Sequence, residues 1–232
     1  MQYSSSGMFA WGQRCGGSLL TSTAVLSAAH CFYEDNDWQW RVVLGTSFRN
    51  GVGGSVHTIQ RVIMHPQYIH KIWNNDVAIV RFTAPAVFSN TVQQARIPGT
   101  RYNLADGSLV THEVCAARYA YLKTQPGYEE WPDINEGMLC AGILDVGGKD
   151  ACTGDSGGPL AHHGDIIVGV TSWGFNCADP FYPGYYAVML SLVELVPMAE
   201  ITMEFLFPEH VCETRPAQRD AGGGNNPLLN EG

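Results

Sequence analysis

The sequence predicts an all-β chain, and three observations carry that expectation. Apolar residues make up 45% and aromatics 11%, as in a folded protein, while charged residues are sparse at 15%. The apolar segments are short and rich in β-prone residues. Glycine, asparagine and proline break them up at close intervals, as turns between antiparallel strands do. At 232 residues the chain is long enough for two small cores or one large one.

Residues 1–40 read as a strand, a turn and a loop carrying His30. Trp38 to Leu44 and Ser55 to Met64 are alternating or apolar runs of antiparallel strands. Val77 to Phe82 is a buried strand with Asp76 at its start. A second set follows from about residue 100, with a strand at Ile166 to Trp173 and a closing segment at Pro183-Gly184-Tyr185-Tyr186. Tyr119 to Trp131 reads as an extended, aromatic-rich surface loop, either a tolerated insertion or a substrate-side wall. Tyr185 to Phe207 is apolar but interrupted by Glu194, Pro197, Glu200 and Glu204. It is too charged for a membrane helix and is expected to form a helix broken at Pro197. Past Pro208 the chain turns polar and glycine-rich, a tail without means to form a core.

The formal net charge of −9 argues against nucleic acid or an anionic membrane as partner. No stretch is long, apolar and uncharged enough to span a bilayer.

Chemistry concentrates in Gly154-Asp155-Ser156-Gly157-Gly158-Pro159. Gly154 lets the backbone turn so that the amides of Gly154 and Ser156 converge on one spot, a site for an oxyanion. Gly157 and Gly158 keep side chains away from the Ser156 hydroxyl. The alternative is a glycine-rich surface turn. A serine hydroxyl needs a base, so the rest of the chain decides. It supplies Ala28-Ala29-His30-Cys31 and Asn74-Asn75-Asp76-Val77-Ala78, and His-Asp-Ser is one chain order of the serine triad. His57, His65 and the pair His162-His163 lack any such context.

These three motifs in this order resemble the trypsin-type members of the chymotrypsin family of serine proteases. The resemblance implies two antiparallel six-stranded Greek-key barrels: a first half over residues 1–100 carrying His30 and Asp76, and a second over 101–190 carrying Ser156. It leaves 191–232 as an atypical segment. His30 would serve as general base, Asp76 would orient it, and Gly154 and Ser156 would receive the oxyanion. Six of the seven cysteines fall on the family's pattern as Cys15–Cys31, Cys115–Cys140 and Cys152–Cys177, with Cys212 left over. Metal binding is the competing use of cysteine, but no paired metal-ligand spacing occurs. Disulfides imply an oxidising, extracellular setting. Met1-Gln2-Tyr3-Ser4 is not a secretory signal, so the chain is expected to begin late.

Asp150, six residues before Ser156, matches the floor of the family's specificity pocket, where a carboxylate favours Arg or Lys at the cleaved position. The alternative is a solvated turn aspartate. Ser172, Trp173, Gly174 and Gly184 match the pocket walls, and Asn176 stands where glycine is usual and would narrow the rim. Leu44 to Asn75 contains no acidic residue, which argues against the calcium loop of some members. No cofactor or metal is expected. The expected partners are polypeptides and protein protease inhibitors, and the chain is expected to be a monomer. Arginine outnumbers lysine 10 to 3, and the sequence resembles digestive trypsins of lepidopteran insects, whose gut lumen is alkaline.

Three departures from the family bear on activity. The family's Ile-Val-Gly-Gly start, whose ammonium pairs with the residue at Asp155, is not found. An unpaired buried Asp155 would then favour a zymogen-like pocket. Only 16 residues separate Pro98 from Cys115, too few for a Gly-Trp-Gly strand and its neighbour. The sequence after Tyr186 is unfamiliar. The competing function is therefore a catalytically silent binding or decoy module on the protease fold.

Overall fold

The computed structural model describes residues 1–99, 102, 104 and 109–188. The expected helix break at Pro197, the polar tail and Cys212 lie outside the described residues. Seven strands form the first sheet: β1 (Gln2–Tyr3), β2 (Gly12–Gln13), β3 (Ser18–Thr21), β4 (Ala24–Ser27), β5 (Trp40–Leu44), β6 (Ser55–Met64) and β7 (Ala78–Phe82). Their order is β2-β1-β5-β6-β7-β4-β3, every pairing antiparallel.

The two edges of this sheet, β2 and β3, are consecutive in sequence. Five peptide steps join Gln13 to Ser18 and reach at most about 18 Å. A flat seven-stranded sheet would hold its edges about 29 Å apart. The sheet therefore curls on itself as half of a double-barrel fold. Inside the curl β4 is buried at all four positions and β7 at four of five, because each has a strand on both sides and the core in front. Leu26, Val80, Phe82, Trp40 and Phe32 fill that core.

The second half holds α1 (His112–Leu122) and four strands: β8 (Met138–Ala141), β9 (Pro159–His162), β10 (Ile166–Thr171) and β11 (Gly184–Val188). Their order is β8-β11-β10-β9, again antiparallel. Four strands among the described residues, rather than six, agree with the short stretch between Pro98 and Cys115. The halves are stitched by Arg96, whose amide donates to the Asp165 carbonyl at 3.0 Å and whose carbonyl accepts from Ile167 at 2.8 Å.

Two expectations are corrected. Residues 37–39 form a 3-10 turn, so the strand expected from Trp38 begins at Trp40. The segment expected as a surface loop from Tyr119 starts inside α1. The Thr111 hydroxyl caps that helix by accepting from the Val114 amide at 3.4 Å. Its buried residues Cys115, Tyr119 and Leu122 recur at helical spacing, and Pro126 and Gly127 follow its end.

Candidate active site

β4 runs straight into the 3-10 turn Ala29–Cys31, which places His30 at the inner end of the first half. The disulfide Cys15–Cys31 pins that turn to the segment before β3, with Cα atoms 6.4 Å apart. Asp76 precedes β7 and follows Asn75, whose φ of 52° turns the backbone inward. The Asp76 side chain is wholly buried, yet both its oxygens are occupied. Oδ1 accepts from the His30 amide at 2.7 Å. Oδ2 lies 2.6 Å from His30 Nδ1 and accepts the Ser172 hydroxyl at 2.5 Å. A carboxylate only accepts, so Nδ1 is the ring nitrogen that donates to Asp76. Nε2 lies 3.9 Å from Cys31 Sγ, and the rim of Trp73 packs edge-on to the ring at 4.8 Å.

Ser156 sits on the turn between Cys152 and β9. Gly154 has φ +99° and Gly157 φ +81°, backbone shapes that favour glycine. The turn docks on the first half at close range. The Gly16 amide donates to the Ser156 carbonyl at 2.7 Å, and a Cβ on Gly157 would stand 2.9 Å from the Ala28 nitrogen. Among the described residues, the amides of Gly154 and Ser156 donate to no protein group, so both are available to a bound oxyanion. Among the hydrogen bonds of the described residues, none joins Ser156 Oγ to His30. Both residues line the same cavity of about 450 Å³. Such contacts commonly tighten only when substrate binds.

Asp150 lies in that cavity with Gly174 and Gly184. Its carboxylate is held by the Ala151 amide at 2.8 Å, the Ala178 amide at 3.3 Å and the Tyr186 hydroxyl at 3.1 Å. A cation entering the cavity meets a carboxylate already fixed in place. Burial, then Asp150 itself, pushes the Tyr186 phenol well above its usual range, so it stays a neutral donor. Trp173 stacks on Tyr185 at 4.1 Å and forms one wall. Cys152–Cys177 ties the Ser156 turn to the Asn176 loop, their Cα atoms 5.1 Å apart, and Cys115–Cys140 ties α1 to β8. Asn176 lines the rim with φ 57°. Ser172 also lines the cavity, but its hydroxyl is engaged by Asp76.

Sequence reasoning missed two members. Tyr119 of α1 is buried behind the pocket, donating to the Pro183 carbonyl at 2.8 Å and accepting from the Phe175 amide at 3.2 Å. Its position four residues after Cys115 was the available signal. Gln13 of β2 donates through Nε2 to the Gly154 carbonyl at 3.2 Å, across 141 residues, and nothing local signals that contact.

Asp155 differs from expectation. It is exposed and accepts the Cys152 amide at 2.9 Å, so the buried unpaired charge does not arise here. His57 is buried between Ser55 Oγ at 3.0 Å and the Ala84 carbonyl at 3.1 Å. Cys15, His30 and Cys31 cluster within 4.8 Å, but both cysteines are spent in a disulfide and offer no thiolate to a metal. No described helix is long and apolar enough to cross a membrane.

A buried aspartate behind a histidine, a serine on a glycine turn with two unused amides, and a double antiparallel sheet define a serine endopeptidase of chymotrypsin-like fold. The family profile described as Trypsin matches residues 1–196, and the chain belongs to that family. "Trypsin, alkaline A" of Manduca sexta is 39% identical over 201 residues, covering 75% of each chain. Trypsin CFT-1 of Choristoneura fumiferana is 37% identical over 203 residues, 76% of this chain and 75% of that one. A trypsin of Phaedon cochleariae is 35% identical over 194 residues, 74% of this chain and 73% of its own.

Proposed function

We propose that the chain hydrolyses peptide bonds after arginine and lysine, with His30, Asp76 and Ser156 as its triad. The observation that carries the proposal is the pairing of Asp76 with His30 Nδ1 at 2.6 Å in a cavity that also holds Ser156 and Asp150. His30 Nε2 takes the Ser156 proton as Oγ attacks the carbonyl carbon, and later returns it to the leaving amine. Asp76 keeps the imidazole in the right tautomer and stabilises its protonated form. The amides of Gly154 and Ser156 stabilise the oxyanion. Water then cleaves the acyl-enzyme by the same steps. In this division of labour the half over 1–100 supplies base and orienting acid, and the half over 101–190 supplies nucleophile and pocket.

Asp150 sets specificity: a guanidinium or ammonium lying between Gly174 and Gly184 reaches its carboxylate, whereas an apolar side chain leaves that charge unpaired. Three disulfides support secretion into an oxidising medium. The arginine-rich composition and the relatives designated alkaline trypsins support a digestive role in an alkaline gut lumen. Polypeptides with Arg or Lys at the cleaved position are the substrates, and protein protease inhibitors are further partners.

The test is hydrolysis of a peptide series varied at the cleaved residue. Arginine and lysine are preferred by at least about 10² over leucine, and Asp150→Ser abolishes the preference. The four-stranded second sheet favours one other reading, a catalytically silent binding module. Complete absence of turnover in oxidised, folded protein would support it.

A further inference from the structure

We propose that Gln13 is a positioning residue for the oxyanion site, holding Gly154 in the conformation that aims its amide at the reacting carbonyl. The proposal rests on the triad and oxyanion assignments above. Gly154 has φ +99°, and a Cβ built on it would meet no atom within 4 Å. The space beside its Cα is therefore open, no contact on that side fixes its backbone, and a glycine there has the widest choice of alternatives. Among the described residues its amide is unused, and the single hydrogen bond to its carbonyl comes from Gln13 Nε2 at 3.2 Å.

The anchor is itself paired into the first sheet. Gln13 is the last residue of β2, paired with Gln2 of β1, and Gln2 pairs in turn with Arg41 of β5. Its carboxamide thus reaches from the first half of the molecule onto the turn carrying the nucleophile. Neighbouring links hold other parts of that turn: the Gly16 amide holds the Ser156 carbonyl at 2.7 Å, and the Gly158 amide holds that of Asp155 at 2.8 Å. Among the described residues, Gln13 supplies the one hydrogen bond to the Gly154 carbonyl. Preorganised donors stabilise an oxyanion because they need not reorient during reaction, so loosening Gly154 weakens transition-state binding while leaving the Asp150 pocket intact.

Gln13→Glu is the isosteric probe, because a carboxylate cannot donate to the Gly154 carbonyl and repels it. Gln13→Leu removes the donor without adding charge. Two ligands separate the effects in the full, oxidised chain. In a peptide aldehyde ending in arginine, Ser156 Oγ bonds to the carbonyl carbon as its O–H proton passes to His30 Nε2, and the C=O π pair moves onto the carbonyl oxygen, which becomes the oxyanion. Benzamidine is an amidinium that fills the Asp150 pocket and makes no oxyanion.

Both variants are expected to bind the aldehyde about tenfold more weakly and to lose about tenfold in kcat, with KM and benzamidine affinity within about twofold of wild type. Unchanged aldehyde binding and kcat in both variants would overturn the proposal. So would parallel weakening of both ligands, which marks general structural damage. A wild-type chain that binds benzamidine but not the aldehyde would overturn the underlying triad assignment instead, before any variant is made.

Discussion

A methyl group on Gly184 would collide with the carboxylate of Asp150: its carbon would stand 2.9 Å from Cγ and closer still to Oδ1. The space beside Asp150, which the proposed specificity assigns to a long cation, is therefore space that only glycine leaves open. Gly184→Ala pushes Asp150 aside or closes the pocket. Benzamidine affinity and kcat/KM for arginine substrates should each fall by about 10², while the far-UV circular dichroism stays native. Equal activity in this variant would mean that cations bind elsewhere.

Ser172 and Asp76 supply a second test. The Ser172 hydroxyl is one of two groups on Asp76 Oδ2, at a site with no access to water. A buried hydrogen bond to a charged group contributes about 1.5–3 kcal/mol. Ser172→Ala should lose stability of that order in urea unfolding and slow kcat more than it raises KM. Loss in KM alone would mean that the hydroxyl serves substrate directly.

Tyr119→Phe removes the donor to Pro183 and the acceptor for Phe175, both on the segments that frame the pocket. The cost should be about 1–3 kcal/mol in stability, with weaker benzamidine binding, because the Phe175 amide loses its partner. Stability within a few tenths of a kcal/mol of wild type would contradict the bracing role.

Alkaline behaviour follows from the tyrosines. Burial is the main cause that raises Tyr68, Tyr119, Tyr185 and Tyr186 far above 10.0, helped by Asp76 at Tyr68 and by Asp150 at Tyr119 and Tyr186. The folded chain thus keeps protons that the unfolded chain releases. Their contribution is fully present below pH 10 and is lost as pH rises beyond it. Absorbance at 295 nm should show that these four phenols do not titrate reversibly in the native protein and ionise only as the chain unfolds. Their reversible titration in native protein would contradict this.

Much of the first half was legible in sequence because its strands are local apolar runs: Val77 to Phe82 reads as a buried strand, and Ala78–Phe82 is buried at every position but Arg81. The pairing of His30 with Asp76 was legible through motif order. Helix α1 was missed because its buried stripe is narrow, only Cys115, Tyr119 and Leu122, and short aromatic runs there read equally well as loop. The exposure of Asp155 and the reach of Gln13 depend on how two distant segments dock. No local pattern encodes a hydrogen bond across 141 residues.

The most direct measurement is reaction of the oxidised chain with an arginine-like diphenyl phosphonate, followed by mass spectrometry of its peptides. The triad and pocket require one equivalent of label on Ser156, its loss in His30→Ala, and protection by benzamidine. Folded protein that stays unlabelled, or label on a serine other than Ser156, would contradict the assignment.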